Sequence, residues 1–376
     1  MRENWKYQPL GEITTSINGL WKGKKPPFVN VGVIRNANFT KEFTLNLSNI
    51  EYLDVEERQY SSRKLQRGDL IVEKSGGSEK QPVGRTILFD LEGEYSVSNF
   101  TSILRIKDKT SLLPTFLYKY LLYIYKEGYT KEMQNAATGI HNIIYDKFLS
   151  IPIPILSLSE QERIVALLDE QFAKIDALKA NADQQLKAAK ALFQSALKEV
   201  FEANRNWKYK SFEDCLQKVP KQQAVKSKDY LENGLFPIVS QESDLISGYT
   251  NDENILYKHE KPVIIFGDHT KNIKYIDFNF VVGADGVHIL SIKDDILPKF
   301  FYYELCSIKL RNLGYARHYK LLKEKEIGYP KLTEQERIAA RLDAISEKVK
   351  ALQVNYDQTI TLCNDLKQAL LKSIFA

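Results

Sequence analysis

Two long stretches of the chain carry apolar residues at alternating steps of three and four. The first runs from Leu158 to Phe201, and the second, which starts almost identically, runs from Leu332 to Phe375. This spacing puts the apolar residues on a narrow stripe along one side of an α-helix, as in a coiled coil. The stripe includes Ile164, Leu168, Ile175 and Leu178 in the first stretch and Ile338, Leu342, Ile345, Val349 and Leu352 in the second.

Both stretches also have the features of a capped helix start. Ser159 with Glu162, and Thr333 with Glu336, have the spacing at which a hydroxyl and a glutamate accept hydrogen bonds from each other's backbone N–H groups. Neither stretch contains proline or glycine, so we expect two continuous helices of ~65 Å each. An apolar stripe of this length needs a partner, and the nearest candidate is the other helix, packed antiparallel.

The repeat extends beyond the helices. The sequence NWKY at Asn4–Tyr7 returns at Asn206–Tyr209, and LRIKD at Leu104–Asp108 returns as LSIKD at Leu290–Asp294. Two copies of so long a unit indicate duplication of a domain and not a solenoid. Antiparallel helices would relate the two copies by an approximate two-fold axis and bring the chain termini close together. The predicted domains are a module at 1–157, a helix at 158–203, a related module at 204–331 and a helix at 332–376.

Short strand-like runs fill both modules, and turn residues separate them. An aromatic helical stretch follows a Leu-Pro pair in each module, where proline is tolerated at the first helical position. The proline-containing segments Ser150–Leu158 and Ile327–Leu332 are expected to be extended hinges between module and helix. The modules are therefore predicted to be α+β. The strand-like runs are Phe28–Ile34, Asp69–Val72, Gly84–Phe89, Ser102–Ile106, Pro262–Phe266 and Val287–Ile292.

The composition is that of a folded chain. Among 376 residues, 43% are hydrophobic and 11% aromatic, enough for the cores of two or three domains.

The apolar runs are shorter than the ~20 residues that cross a bilayer, and the N-terminal region has no signal-peptide core, so we expect a cytoplasmic protein without a membrane partner. Cys215, Cys306 and Cys363 are too scattered for a disulfide framework or a zinc site. A net charge of +5 does not by itself indicate a nucleic-acid partner.

Motifs of several enzyme classes are missing from the sequence. Gly23–Lys25 has neither the spacing nor the hydroxyl of a phosphate-binding G-K-[ST] loop. The chain has no Asn-Pro-Pro-aromatic motif of an adenine methyltransferase and no glycine-rich cofactor loop after a strand. Its five histidines are scattered, and Asp69, Glu73 and Lys74 lack the alternation of a metal-dependent nuclease site. We therefore expect a binding protein without catalytic residues, a metal site or a cofactor of its own.

The order of module, LSEQERI helix, module and LTEQERI helix resembles that of the specificity subunits of type I restriction–modification enzymes. The likeness covers essentially the whole chain, and Arg67–Arg85 and Lys261–Ile276 are similar to that family's target-recognition domains. Proline followed by L-[ST]-E-Q at a helix start is a fairly specific signal, and here it occurs twice. The resemblance implies an α+β fold: two similar mixed α/β target-recognition domains separated by two long antiparallel coiled-coil helices in a pseudo-two-fold arrangement.

The resemblance also implies a function for each part. Each module would read one half of a bipartite, asymmetric site in double-stranded DNA, with half-sites ~10 bp apart. The paired helices would set the spacer and dock two methyltransferase subunits and, through them, the restriction and translocase subunits. S-adenosylmethionine, ATP and Mg would be used by those other subunits, and the chain itself would be non-catalytic.

Candidate DNA contacts in the first module lie on two loops. A DNA reader needs donors for phosphates and a few groups that reach base edges, and glycines let the backbone approach closely. The first loop also has a plainer interpretation as a solvated hairpin loop, and the second as a charged turn. The candidates are Lys74, Ser75, Gly77, Ser78, Lys80, Gln81 and Arg85 on the first loop and Lys22, Lys24 and Lys25 on the second.

The second module has a matching loop, and each module has a further candidate segment before its hinge. The pre-hinge segments face the DNA groove in one interpretation and cap the module against the helix in the other. The loop residues are Gly267, Asp268, His269, Thr270, Lys271 and Asn272. The pre-hinge residues are His141 and Asn142 in the first module and Arg317, His318, Tyr319 and Lys320 in the second.

A coiled-coil scaffold whose modules bind proteins is the alternative function. The two hypotheses differ in their salt dependence, because a DNA reader with several phosphate contacts loses affinity steeply as salt rises.

Overall fold

The computed structural model describes residues 2, 4–137, 139–202, 206–284, 286–311, 313–314 and 316–376. The chain forms two compact units, one comprising residues 1–180 and 358–376 and the other residues 181–357. The boundary predicted between residues 203 and 204 lies outside the described residues. None of the helices in the described part of the chain has both the length and the apolar character that a membrane span requires.

The first unit mixes short strands with short helices. Its strands are β1 Lys6–Pro9, β2 Thr14–Asn18, β3 Phe28–Ile34, β4 Glu51–Glu56, β5 Leu70–Glu73, β6 Ser75–Gly77, β7 Thr86–Leu88, β8 Tyr95–Val97, β9 Thr101–Ile106, β10 Gln134–Ala137, β11 Ile140–Ile143 and β12 Pro152–Ile155. Its helices are α1 Leu10–Ile13, α2 Glu57–Arg63, α3 Pro114–Lys126, α4 Tyr145–Leu149 and the start of α5 Leu158–Phe201. The sheets have the strand orders β2-β9-β5-β7, β4-β3-β8, β10-β11-β6 and β1-β12.

The second unit contains the end of α5 and the same kinds of element. Its strands are β13 Lys208–Ser211, β14 Leu216–Gln217, β15 Ala224–Val225, β16 Phe236–Val239, β17 Gly248–Thr250, β18 Leu256–Tyr257, β19 Val263–Gly267, β20 Ile273–Ile276, β21 Phe280–Gly283, β22 Val287–Ile292 and β23 Glu326–Tyr329. Its helices are α6 Pro298–Ser307, α7 Tyr319–Lys323 and the start of α8 Leu332–Phe375, which ends in the first unit. The sheets have the orders β14-β22-β19-β20, β15-β21-β16-β17 with β18 on β21, and β13-β23.

The predicted α+β duplication is present in the strand order. The four-stranded sheets β2-β9-β5-β7 and β14-β22-β19-β20 have the same sequence of antiparallel neighbours. Leu104 of LRIKD lies opposite Leu70, and Leu290 of LSIKD lies opposite Ile264. The two units can therefore be compared residue by residue along their central strands β5 and β19.

The repeated NWKY sequence belongs to the hinges. Its strands β1 and β13 pair antiparallel with β12 and β23, the extended proline-containing segments before the long helices. The hinges are thus strands that tie the beginning of each module to its end. The sequence predicted their extended backbone but not this pairing.

The two long helices are confirmed, but their predicted caps are wrong. Helix α5 begins at Leu158, and the carbonyl of Ser157 accepts hydrogen bonds from the amides of Glu160 and Gln161 at 3.0 Å each. In α8 the carbonyl of Lys331 has the same role. Because each helix starts earlier than the capping-box interpretation requires, Ser159 and Thr333 lie inside the first turn.

A buried glutamine fixes each helix start to its module. Oε1 of Gln161 accepts a hydrogen bond from the Leu113 amide at 2.8 Å, and its Nε2 donates to the carbonyls of Ser111 and Leu156. Gln335 makes the equivalent bond with the Leu297 amide at 2.8 Å, and its Nε2 donates to the carbonyls of Asp295 and Pro330. Both side chains are fully buried.

The helices pack antiparallel within each unit. In the first unit, Nζ of Lys367 lies 5.1 Å from the Phe172 ring, and Sγ of Cys363 lies 3.8 Å from the Ile175 carbonyl oxygen. In the second, the Arg341 guanidinium pairs with Glu199 at 3.1 Å. The sequence positions rise on one helix as they fall on the other, as antiparallel packing requires.

Most of the predicted stripe is buried. Ile164, Leu168, Ile175, Ile338 and Leu342 are buried, while Ile345, Val349 and Leu352 are half-buried. Leu178, in contrast, is 59% exposed. A straight helix has 3.6 residues per turn and drifts ~20° per heptad relative to a strict seam, which moves Leu178 out of the buried stripe.

Candidate nucleic-acid interface

In the first unit, two of the candidate segments lie side by side. Strand β6 pairs with β11, so that Gly77 lies opposite His141 and Ser75 lies opposite Asn142, with an irregularity between His141 and Asn142. The glycine-containing loop and the pre-hinge segment therefore form one continuous polar edge. The sequence predicted both segments but did not indicate that they pair.

Lys74 begins this edge and is held by its surroundings. Its amide donates to the Phe100 carbonyl at 2.9 Å, and its Nζ donates to Oδ1 of Asn18 at 2.8 Å. The same Nζ lies 5.9 Å from the centroid of the Tyr145 ring, and burial lowers the pKa of Lys74. Asn18 is the first residue of the second candidate loop, Asn18–Pro27, which carries Lys22, Lys24 and Lys25 and is called the lysine-rich loop. The Lys74 bond therefore links the two candidate loops of this unit.

The remainder of the first loop is a tight exposed turn. The amide of Ser78 donates to the carbonyl of Gln81 at 2.8 Å, and the Gln81 amide donates back to Oγ of Ser78 at 3.2 Å. The side chains of Ser78, Lys80 and Gln81 are exposed. These are the members of the loop that are accessible to a ligand.

Arg85 and Gly77 are the buried members of their predicted group. Nε and Nη2 of Arg85 donate to the two carboxylate oxygens of Glu73 at 2.7 and 3.0 Å, and its guanidinium lies 5.3 Å from the Phe39 ring. Both partners of the ion pair are buried. The guanidinium therefore holds the base of the loop to β5 inside the unit and does not point toward a ligand.

The lysine-rich loop is exposed at its side chains and anchored at its backbone. Lys22, Lys24 and Lys25 are exposed, while the amides of Lys24 and Lys25 donate to Oε1 of Glu56 at 3.1 and 3.2 Å. The bond from the Lys24 amide is the main cause that holds the pKa of Glu56 below its ordinary value. Trp21 beside them is 66% exposed. Three ammonium groups and an indole are thus displayed on a fixed loop.

In the second unit, Gln241 organises the loop after β19. Its carbonyl accepts hydrogen bonds from Oγ1 of Thr270 at 2.5 Å and Nδ2 of Asn272 at 3.0 Å. Its Oε1 accepts one from the amide of His269 at 3.1 Å. Lys271 has a positive φ of 62°, and its amide donates to the Gly267 carbonyl at 2.8 Å. These bonds close the loop at residues 267–272.

Asp268 joins this loop to the second pre-hinge segment. It is 3% exposed, and its Oδ1 accepts from the Tyr319 amide at 2.8 Å. Its carbonyl accepts from the amide of His318 at 2.9 Å and lies 3.0 Å from Nδ1 of the same residue, which is fully buried. Asp268 and His318 thus hold the candidate segments together, whereas Arg317 and Lys320 are exposed.

The sequence did not predict four residues that belong to these edges: Asn18, Tyr145, Gln241 and His288. Tyr145 was detectable in principle, because it and Tyr319 stand at the same distance before the two LS/LT-EQERI helices. Oη of Tyr145 lies 2.7 Å from Oγ of Ser16 and of Ser102. Gln241 carries no local signal, since it acts through its carbonyl on a loop 26 or more residues further along the chain.

Comparison with known proteins gives matches over the whole chain. The family model described as "Type I restriction modification DNA specificity domain" matches residues 2–188 and again residues 196–362. The chain is 36% identical over 92 residues to the type I restriction enzyme EcoR124I/EcoR124II specificity subunit of Escherichia coli. That alignment spans 24% of this chain and 23% of the Escherichia coli protein.

A more distant relative is matched along nearly its full length. The putative type I restriction enzyme MjaX specificity subunit of Methanocaldococcus jannaschii is 21% identical over 392 aligned residues, covering 95% of this chain and 90% of the relative.

Solved structures share the fold. A chain from a study of complex assembly and conformational transition of the type I R-M system superposes with a TM-score of 0.75 at 18% identity, covering 100% of this chain and 98% of that one. The HsdS subunit from Thermoanaerobacter tengcongensis gives a TM-score of 0.51, also at 18% identity, over 100% and 97% of the two chains. At this identity the likeness concerns the fold alone.

Proposed function

The chain belongs to the type I restriction–modification DNA specificity family, and from this premise we propose that each unit reads one half of a bipartite, asymmetric DNA site. The observation that carries the proposal is the repetition of one arrangement. In both units the central strand of the four-stranded sheet, β5 or β19, leads into a polar loop that is bonded to the segment before the hinge.

In the first unit, the proposed contacts are the exposed or half-buried polar residues of the two linked loops. Lysine side chains suit phosphate contact, whereas Gln81 and Asn142 have the donor and acceptor pattern for base edges. Arg85 is assigned to positioning, because both ends of its guanidinium are bound to Glu73. Gly77 is buried and is also assigned to positioning. The proposed contacts are Lys22, Lys24, Lys25, Lys74, Ser75, Ser78, Lys80, Gln81, His141 and Asn142.

In the second unit, the proposed contacts are His269, Thr270, Lys271 and Asn272 of the loop together with Arg317 and Lys320. The loop and the pre-hinge segment are held together by hydrogen bonds that Asp268 accepts from His318 and from the Tyr319 amide. The side chains differ from those of the first unit at equivalent positions, so the two half-sites should differ in sequence. This is the physical reason to expect an asymmetric target.

The long helices are proposed to set the spacer between half-sites and to dock two methyltransferase subunits. Exposed leucines on the two helices are the apolar side chains available for this docking. They are Leu167, Leu178, Leu362 and Leu366 in the first unit and Leu192 and Leu332 in the second. In this proposal the chain is non-catalytic, and S-adenosylmethionine, ATP and Mg serve the methyltransferase, restriction and translocase subunits.

Matched insertions in the helices test the spacer proposal. Seven residues inserted after Ala180 and seven after Asp357 lengthen both helices at the points where they pass from one unit to the other. A longer spacer with both half-sites unchanged is expected, and single-molecule methylation sequencing of cells that express the variant measures it. A changed half-site with an unchanged spacer would contradict the proposal. The matched control places the same insertion in the exposed segment at Glu92, outside the proposed contact loops, which leaves the spacer and both half-sites unaltered.

A protein-interaction scaffold without DNA readout remains the alternative, and the exposed helix leucines are the observation that favours it. The scaffold predicts normal assembly with methyltransferase subunits but no sequence preference in their methylation. Methylation or cleavage by the purified chain alone would contradict both hypotheses.

A further inference from the structure

The second unit holds a histidine where the first unit holds a serine. The strand register that equates Leu290 with Leu104 also equates His288 with Ser102 and Asp268 with Lys74. In the first unit, Ser102 contacts the hydroxyl of Tyr145 and Lys74 lies over its ring. Serine does not titrate, whereas histidine changes charge between about pH 5 and pH 8.

His288 contacts both candidate segments of the second unit. Its Nε2 lies 3.1 Å from Oδ2 of Asp268, which belongs to the loop at 267–272. Its ring stacks on that of Tyr319 in the pre-hinge segment, with centroids 3.8 Å apart and an interplanar angle of 9°. The Tyr319 amide in turn donates to Oδ1 of Asp268. We call this closed set of three residues the His288 clasp.

The clasp is stronger when His288 carries a proton. Burial opposes the charge on Asp268, but hydrogen bonds from the Tyr319 amide and His288 hold the pKa of Asp268 below its ordinary value, so the partner of the ring is a carboxylate. A neutral imidazole bonds to that carboxylate in one tautomer, whereas an imidazolium makes a charge-assisted bond about twice as strong. The imidazolium also gains attraction to the Tyr319 ring. The His288 side chain is 32% exposed, so protons reach it.

Other charged groups lie near the clasp and act on the Asp268 carboxylate when His288 is neutral. Nε of Arg317 lies 3.9 Å from Oδ2 of Asp268, so the carboxylate keeps a cation nearby when His288 is neutral. When His288 loses its proton, its bond to Asp268 weakens. Arg317 then still compensates part of the negative charge of the carboxylate. The further titratable or charged groups on neighbouring elements are Glu213, Lys221, His269, His318 and Lys323.

We propose that the His288 clasp makes recognition of the half-site read by the second unit depend on pH. The inference rests on the proposed function of the two units. Protonation of His288 favours the arrangement in which the loop at 267–272 and the segment at 317–320 are joined. Affinity for the second half-site therefore rises as the pH falls from about 8 to about 6.

The test measures DNA binding by the full chain assembled with methyltransferase subunits. The probes are a duplex carrying the motif found by methylation sequencing and two duplexes in which one or the other half-site is scrambled, at one fixed salt concentration. Between about pH 8 and pH 6, discrimination against the scrambled second half-site is expected to rise about fivefold, which is the gain from a neutral to a charge-assisted bond. Discrimination against the scrambled first half-site, which is read by the unit that contains His141, should follow the same pH profile in wild type and in the variant His288→Gln.

Two conservative variants identify the clasp as the cause. His288→Gln removes the titrating ring, and Asp268→Asn removes the carboxylate charge while keeping an acceptor for the Tyr319 amide. Each is expected to abolish the pH-dependent gain, and the double variant should have no additional effect. Thermal unfolding at pH 8 verifies that both variants are folded.

Two further histidines serve as controls. His259→Gln alters a histidine of the same unit whose ring is bonded to the carbonyls of Lys261 and Phe278, and should leave the pH profile as it is. His269→Gln separates the clasp from direct contact by the loop. Loss of the pH profile in His269→Gln but not in His288→Gln would overturn the inference.

The outcomes distinguish this inference from the proposed function. Sequence-preferring binding with the same pH profile in wild type and His288→Gln overturns the clasp and leaves the proposed function intact. Absence of sequence-preferring binding at every pH overturns the proposed function, and the clasp with it.

Discussion

Gln161 and Gln335 show how much one buried side chain contributes where a module meets its helix. Each accepts one backbone hydrogen bond and donates two. Both stand in the E-Q-E-R sequence that marks the helix starts, yet the sequence alone directed attention to the neighbouring hydroxyl and glutamate. A local motif predicts where a helix begins, but two of the three partners of each buried amide come from residues 38–50 positions away.

Replacing Gln335 by alanine is expected to destabilise the second unit by about 2–3 kcal/mol, because the Leu297 amide and two carbonyls lose their partner inside the protein. Urea denaturation of the full chain measures the change, followed by the fluorescence of Trp207 in a background in which Trp5 and Trp21 are replaced by phenylalanine. Gln194→Ala is the matched control, since Gln194 is an exposed residue of a long helix and should alter stability by less than about 0.5 kcal/mol. Equal effects would refute the role of the buried amide.

Glu304 should make the stability of the second unit fall as the pH rises. Burial raises the pKa of Glu304 to about 8 from its ordinary value of 4.5, against the opposing hydrogen bond from the Gly328 amide. Its Oε2 is buried without a hydrogen-bond partner among the described residues. The folded unit therefore holds a proton that the unfolded chain releases above about pH 4.5, so stability is lost between about pH 4.5 and about pH 8.

The variant Glu304→Gln is expected to remove this loss. Its melting temperature relative to wild type should increase steadily from about pH 5 to about pH 8 in calorimetry. Exposed Glu324 provides the control, and Glu324→Gln should keep the wild-type profile. A constant difference between Glu304→Gln and wild type would show that the carboxyl is ionised in the folded protein.

At the residue scale, the candidate site was only partly predictable. Lysines, glycines and polar turn residues mark the loops, and the structure joins those loops to the pre-hinge segments as single edges. Their sequence does not reveal that Arg85, Asp268 and His318 turn inward, because burial depends on partners such as Glu73 that are set by the tertiary fold.

At the scale of elements, the long helices and the duplication were predictable, and the sheet order was not. Helical periodicity is local, so the bounds of α5 and α8 follow from the sequence pattern. The pairing of β1 with β12, about 145 residues apart, depends on contacts that no local pattern encodes. The exposed Leu178 illustrates the limit of periodicity, since a stripe that drifts over several turns leaves some apolar residues outside the seam.

Phe375 links the end of α8 to the first unit, and Phe375→Ala should destabilise that unit by about 3–5 kcal/mol by opening a cavity. Its ring lies 5.2–6.5 Å from those of Trp5, Phe116, Tyr120 and Tyr123. Hydrogen exchange measured by mass spectrometry should show loss of protection in β1, β12 and α3 and unchanged protection in β19 and β22. The control Leu362→Ala alters a residue of α8 that is 67% exposed and should have little effect.

For the whole molecule, the proposed function predicts a strong dependence of DNA binding on salt. If four to six lysines of the two interfaces each neutralise a phosphate, the affinity of the assembled complex should fall by roughly two to three orders of magnitude between 50 and 200 mM salt. Fluorescence anisotropy over a salt series measures the slope. Charge removal by Lys22→Gln with Lys24→Gln should reduce the slope by about two, whereas Lys198→Gln on the exposed helix surface should not. A flat series would favour the scaffold.

The division of the chain into units also determines the order in which they can form during synthesis. The second unit is one continuous segment, residues 181–357, whereas the first needs residues 358–376 to complete its core. During synthesis, residues 1–180 are therefore made long before Phe375. Their aromatic core stays incomplete until Phe375 leaves the ribosome, after the second unit has been made. Nascent chains halted before residue 358 should consequently expose the first unit to chaperones, and a premature stop in α8 would damage the module that is farthest from it along the chain.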